Sequence, residues 1–252
     1  MTVPPLNPEA ALFLDLDGTL LEIAPRPELV RVPQHLPVLL QRLAGRRSGA
    51  LAVVSGRRIA DINGLLQTWR GAAAGMHGAE RRRADGTLLA GGDSPADRAA
   101  AAALDRLRPA LRQFAQGAPG VLLEDKGRTL ALHYRQAPER GAEIRALTER
   151  LIGGEAGRLR LIAGKMVFEL QPRHHGKDRV IAAFMEEAPF RGRVPVFVGD
   201  DTTDEDGFAE VNRRGGLSIR VGPAGAATAA VHTLPSVSAA LDWLAAGSDP
   251  DS

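Results

Sequence analysis

The sequence predicts an α/β fold: a doubly wound, mostly parallel sheet with a second, smaller α/β module inserted into it. Two observations carry this. Short apolar runs at 12–14, 50–54, 72–74 and 194–198 alternate with segments in which Leu and Ile recur at helical spacing, which is the signature of βαβ units. Between about 80 and 170 the texture changes to pairs of short strands around tight turns, separated by helices, which reads as a small sheet covered on one face. The expected division is therefore 1–79 with 171–252 as one domain and 80–170 as the other.

Composition narrows the function before any motif is read. At 252 residues, 44% hydrophobic and 25% charged, the chain can bury a proper core. A net charge of +2, no long basic run and 4% aromatic residues give nucleic-acid binding no support. Cysteine is absent, which removes disulfides, thiol nucleophiles and thiolate metal sites together. The first residues lack a basic and apolar leader pattern, and no stretch approaches membrane-spanning length, so a soluble, cytoplasmic protein without a membrane partner is expected. Of 32 basic residues only Lys126, Lys165 and Lys177 are lysine. In a chain so biased towards arginine, each lysine marks a place where a compact point charge is wanted.

The first strand ends in Asp15-Leu16-Asp17-Gly18-Thr19. Side chains alternate along a strand, so Asp15 and Asp17 begin on one side and Leu16 on the other. Two carboxylates facing one small volume repel unless a cation compensates them, and a hard, oxygen-liganded ion such as Mg²⁺ does so. A helical pattern follows through Leu36, Leu39, Leu40 and Leu43, and then Ala50–Val54 delivers Ser55-Gly56-Arg57 just as a new helix begins. A hydroxyl and free backbone N–H groups at that point make a phosphate cradle. Ala72–Ala74 ends in Gly75-Met76-His77-Gly78, where His77 is a candidate lining residue.

In the module, Glu80–Arg83 and Thr87–Ala90 read as a hairpin around Asp85-Gly86. Val121–Glu124 with Thr129–Tyr134, and Leu159–Ile162 with Val167–Leu170, make two more. The turns of these last two carry Lys126, beside Glu124, and Lys165, four positions before Glu169. Such a set supplies donors and acceptors for a polyhydroxylated ligand. After the module, Lys177 opens a helix, where the macrodipole disfavours a cation unless an anion shares the spot. The preceding His174 and His175 read as neutral surface imidazoles. Val194–Val198 then ends in Gly199-Asp200-Asp201-Thr202-Thr203-Asp204, a second acidic strand end that again calls for Mg²⁺.

In order, these segments resemble the four motifs of the haloacid dehalogenase-like (HAD) hydrolases: Asp-x-Asp-Gly-Thr, a strand-terminal Ser, a helix-opening Lys and Gly-Asp-Asp-x-x-Asp. The resemblance implies a HAD-like Rossmannoid sheet with an inserted C2-type cap, and a Mg²⁺-dependent phosphatase working through an aspartyl phosphate. It makes Asp15 the nucleophile, Asp17 the general acid and base, and Lys177 the charge-neutralising lysine. Asp15, Asp17 (through its carbonyl) and Asp200 would hold the metal, supported by Asp201 and Asp204. Ser55, Gly56, Arg57 and His77 fall on the phosphate side. Adding Gly75-x-His77-Gly78-Ala79-Glu80, Glu124-x-Lys126-Gly127 and Leu132-His133-Tyr134-Arg135, the chain resembles the trehalose-6-phosphate phosphatase family from about residue 10 to 245. That implies trehalose 6-phosphate as substrate, Glu124, Lys126, Lys165 and Glu169 as cap residues on the sugar, and a pathway link to trehalose-6-phosphate synthase. Two alternatives stay open at this point: a phosphatase for another sugar phosphate, such as sucrose or glucosylglycerol phosphate, and a receiver-type phosphoacceptor domain.

Overall fold

Strand β1 (Ala11–Leu14) lies fully buried in the middle of the larger sheet, and its alternation sets the two faces. Leu12 and Leu14 enter one apolar cluster, and Ala11 and Phe13 the other. The structure is a computed structural model that describes residues 3–24, 29–90, 95–164, 166–225 and 227–248. It divides into two units, Met1–Leu89 with Gly176–Ser252, and Ala90–His175.

In the first unit β1 pairs in parallel with β2 (Leu51–Val54) and, on its other side, with β10 (Pro195–Gly199). Strand β3 (Ala72–Gly75) continues beyond β2, while β11 (Leu217–Val221) and β12 (His232–Leu234) continue beyond β10, all parallel. Strand order thus reverses at β1, and an open α/β sheet binds its ligands past the carboxyl ends of the strands at such a reversal. The face bearing Leu12 and Leu14 is covered by α1 (Leu36–Arg46), α2 (Ile59–Leu66) and α7 (Val237–Ala246). The face bearing Phe13 is covered by α5 (Lys177–Met185) and α6 (Glu205–Arg213). There Phe13 stacks on Phe190 at 5.4 Å, and Phe197 meets Phe208 at 5.2 Å. Burying each such ring contributes roughly 1.5–3 kcal/mol.

Strands β4 (Glu80–Arg82) and β5 (Leu88–Ala90) correct the expected boundary. The hairpin around Asp85-Gly86 exists, but β4 pairs antiparallel with β3 and β5 extends the same sheet. Charge explains why this segment stays with the first unit: buried Arg82 donates to the Gly71 carbonyl at 2.9 Å and to Asn63 Oδ1 at 2.7 Å. Arg81 and Arg83 both pair with Glu187. The units therefore divide after Leu89 and after His175, not after 79 and 170.

The second unit is an antiparallel sheet in the order β6 (Leu122–Asp125), β7 (Leu130–His133), β9 (Val167–Pro172), β8 (Leu159–Gly164). Helices α3 (Pro95–Gln116) and α4 (Gly141–Gly153) pack on one face. There Leu104, Leu111 and Ile144 bury Leu130, Leu132, Phe168 and Leu170. Alternation puts the remaining side chains on the opposite face, where Glu124, Ala131, Glu169 and Ile162 form one cross-strand row. One of the two histidines differs from expectation: His174 is exposed, whereas His175 is not. His175 is buried, and Asp97 Oδ1 accepts from Nε2 of both His174, at 2.8 Å, and His175, at 3.0 Å. Burial is the largest influence pushing His175 down to about 4, so this imidazole is neutral at pH 7.

Candidate active site

Past Leu14 the chain turns tightly: Leu20 and Leu21 N–H both donate to the Leu16 carbonyl, and Gly18 N–H donates to the Leu21 carbonyl at 2.7 Å. Leu16 stays on its apolar face, which leaves Asp15 on the side of α5 and α6. Gly18 has φ +87°, and a Cβ there would fall on the Asp200 carboxylate, so this position admits only glycine on both counts. The turn after β1 and the turn after β10 are in contact because one of them has no side chain.

Lys177 resolves the conflict its position creates. It is 2% exposed at the first turn of α5, and Nζ donates to Asp15 Oδ1 at 2.6 Å and also to Asp204. Two carboxylates are the anions a lysine needs at a helix N-terminus. Burial pulls Lys177 down, but Asp15 and Asp204 outweigh it and hold the ammonium above the ordinary lysine range. Asp204 is fully buried and accepts the backbone N–H groups of Asp200, at 2.9 Å, and Asp201, at 3.0 Å. Asp201 in turn caps the same turn through Thr202 N–H at 2.7 Å. Asp204 thus fixes the loop that presents Asp200.

Asp15, Asp200 and Asp204 each bring an oxygen within 4.8 Å of the others. Burial pushes Asp15 up to about 7, with Lys177 opposing and Asp204 adding to it. Burial, Asp15 and Asp204 push Asp200 up to about 9. One ammonium does not neutralise three carboxylates, so the cluster retains protons unless a cation replaces them. The donor set fits a hard divalent ion: all ligands are oxygen, and Asp204 is committed to Lys177 and two N–H groups, leaving Asp15 and Asp200 to face the ion.

The remaining groups from the β2 and β3 ends converge on one another. Ser55, 2% exposed, accepts Arg57 N–H at 3.1 Å. Arg57 grips Asp17 in bidentate fashion, Nε to Oδ2 at 2.6 Å and Nη2 to Oδ1 at 2.8 Å. Met76 and His77 both have positive φ, +50° and +54°, a strained loop of the kind found at functional sites. Met76 N–H donates to the Arg57 carbonyl and His77 N–H to the Ser55 carbonyl, which presses the His77 ring against Gly56, where a Cβ would lie 2.8 Å from Nε2. Glu80 was legible only as part of a motif. Helix α2 has no capping side chain of its own, and Glu80 Oε2 accepts Ile59 N–H at 2.8 Å to serve as one.

In the second unit, Lys126 Nζ lies 3.7 Å from Glu124 Oε2 and 3.8 Å from Glu169 Oε1, on the face away from the helices. His133 Nε2 meets Glu124 Oε2 at 2.8 Å, and this hydrogen bond is the largest influence holding Glu124 below the usual carboxylate range. Glu124, Lys126 and Glu169 are therefore together, joined by His133; Lys165 lies outside the described residues. Among the described residues, no helix is long and apolar enough to cross a membrane.

Comparison with known proteins adds three findings. The family model described as trehalose-phosphatase matches residues 13–235. The chain is 44% identical over 242 residues to a trehalose-6-phosphate phosphatase of Escherichia coli K12, covering 96% of this chain and 87% of that one. The structure of the C-terminal domain of a Candida albicans trehalose-6-phosphate phosphatase superposes with a TM-score of 0.83, covering 98% of each chain. At 21% identity, that last likeness speaks for the fold alone.

Proposed function

The chain belongs to the trehalose-phosphatase family within the HAD superfamily, and we infer from this that it hydrolyses trehalose 6-phosphate to trehalose and phosphate. The observation that carries the chemistry is the convergence of Asp15, Lys177 and Asp200 at the sheet's point of reversal. In our reading, a carboxylate oxygen of Asp15 bonds to phosphorus while the bond from phosphorus to the sugar O6 breaks, and Asp17 gives the leaving oxygen its proton. Asp17 then takes a proton from water, whose oxygen displaces Asp15 from phosphorus and releases inorganic phosphate. Lys177 and the Ser55 hydroxyl hold the charge that spreads over the phosphoryl oxygens. Mg²⁺, held by Asp15 and Asp200 with the Asp17 carbonyl, supplies further neutralisation when bound.

The Arg57–Asp17 pair gives this scheme its order. While Arg57 grips both Asp17 oxygens, neither is available to a substrate. An arriving phosphoryl group competes for the guanidinium, and transfer of Arg57 to the phosphate frees the Asp17 carboxyl to face the leaving oxygen. Glu124 and Glu169 on the sheet, with Lys126 from the turn after β6 beside them, suit sugar hydroxyls by offering acceptors and a donor. A cytoplasmic setting and a preceding glycosyl transfer that makes the phosphorylated disaccharide accompany this assignment. The test is phosphate release from trehalose 6-phosphate, sucrose 6-phosphate and glucosylglycerol phosphate, with and without Mg²⁺, using Asp15→Asn as blank. Preference for trehalose 6-phosphate, dependent on Mg²⁺ and absent in Asp15→Asn, supports the reading; equal rates on all three overturn the substrate assignment.

A further inference from the structure

We propose that Asp97, His174 and His175 form a binding site for a divalent transition-metal ion of the zinc type, built without any residue of the acidic cluster. Three side chains from two places in the second unit converge there. Asp97 lies in the first turn of α3, and the histidines follow β9. Asp97 Oδ1 is 2.8 Å from His174 Nε2 and 3.0 Å from His175 Nε2, and the ring planes stand at 65° with centroids 4.4 Å apart, so both Nε2 edges point at one spot instead of stacking. One ligand atom from each residue lies within 4.8 Å of the others.

The donor set selects the ion. Two imidazole nitrogens and one carboxylate oxygen suit Zn²⁺ and its neighbours and are foreign to Mg²⁺, which takes oxygen. Zinc bonds of about 2.0–2.2 Å in tetrahedral geometry set ligand atoms roughly 3.3–3.5 Å apart, so the observed separations need to open by only about half an ångström. His174, with its side chain 37% exposed, has the freedom to do so and leaves a position open to water. His175 is 8% exposed, so packing holds its ring in place with Nε2 at the spot Asp97 shares with His174.

Equilibrium dialysis of the full chain against Zn²⁺, with Mg²⁺ in large excess to fill the acidic cluster, tests this. The expected result is a single zinc retained at micromolar free zinc by the wild type and by Asp200→Asn. In His174→Ala and Asp97→Asn the affinity falls by more than about 100-fold, the upper end of what losing an outer partner of a metal site costs. His174 is partly exposed, so its variant keeps the wild-type circular dichroism spectrum and a loss of zinc cannot be laid to unfolding. Zinc binding that survives in His174→Ala, that disappears in Asp200→Asn, or that is absent from the wild type overturns the proposal.

Discussion

Replacing Gly18 by alanine separates two costs that this structure allows to be measured apart. Gly18 and Gly86 share φ +87°, yet a Cβ at 86 meets nothing within 4 Å, whereas at 18 it lies 2.7 Å from Asp200 Oδ1 and closer still to the other carboxyl atoms. Gly86→Ala therefore reports the backbone penalty alone, about 1–2 kcal/mol for a side chain in the left-handed region. Gly18→Ala adds the displacement of Asp200, bringing the total to roughly 3 kcal/mol or more. It also pushes a proposed metal ligand out of place, so the Mg²⁺ concentration for half-maximal phosphate release rises at least tenfold, equivalent to about 1.4 kcal/mol. Urea unfolding gives the first pair of numbers and Mg²⁺ titration of activity the second. Equal destabilisation by the two variants, or unchanged Mg²⁺ dependence in Gly18→Ala, refutes the close approach of the two turns.

Other outcomes follow from the same geometry. Lys177→Met leaves Asp15 and Asp204 buried without their cation, so it lowers stability by about 3–5 kcal/mol and abolishes phosphate release; urea melts and an end-point phosphate assay check this, and a stable, active variant contradicts it. In metal-free protein the folded pKa values of Asp15 (about 7) and Asp200 (about 9) lie above their unfolded values. The folded state then holds protons that the unfolded chain has released, so stability falls as pH rises from about 4 towards 9. Mg²⁺ flattens that slope, and a urea midpoint that climbs with pH without Mg²⁺ contradicts the account. Lys126→Ala raises KM for trehalose 6-phosphate by about tenfold or more, as loss of a charged hydrogen bond would, while leaving hydrolysis of a small aryl phosphate unchanged. Loss on both substrates places Lys126 in a different role.

The parts of the site that strand alternation controls were legible in the sequence. Asp15 follows Phe13 onto one face and Leu16 returns to the other, and the odd placing of Lys177 at a helix start pointed to the carboxylates that surround it. What was not legible depends on pairing between distant segments. The Arg81–Arg83 run reads as a hairpin strand of the module, but pairing with β3 and contacts to Glu187, Gly71 and Asn63 bind it to the first unit and move the boundary ten residues on. His175 looks like a loop residue until Asp97, 78 positions earlier, arrives beside it. Arg57 sits where a phosphate ligand is expected, and nothing in the sequence reveals that Asp17 occupies its guanidinium. Spacing reports what neighbours along a strand do; it is silent on which side chains long-range contacts will neutralise.

The row on the open face of the second unit's sheet has a consequence for turnover. On the proposed reading, Lys126 between Glu124 and Glu169 offers one donor among acceptors, a set suited to hydroxyls and not to an anion. Released trehalose keeps every hydroxyl that trehalose 6-phosphate presented and gains one. On that proposal the free disaccharide competes for the same face, and added trehalose is expected to slow phosphate release.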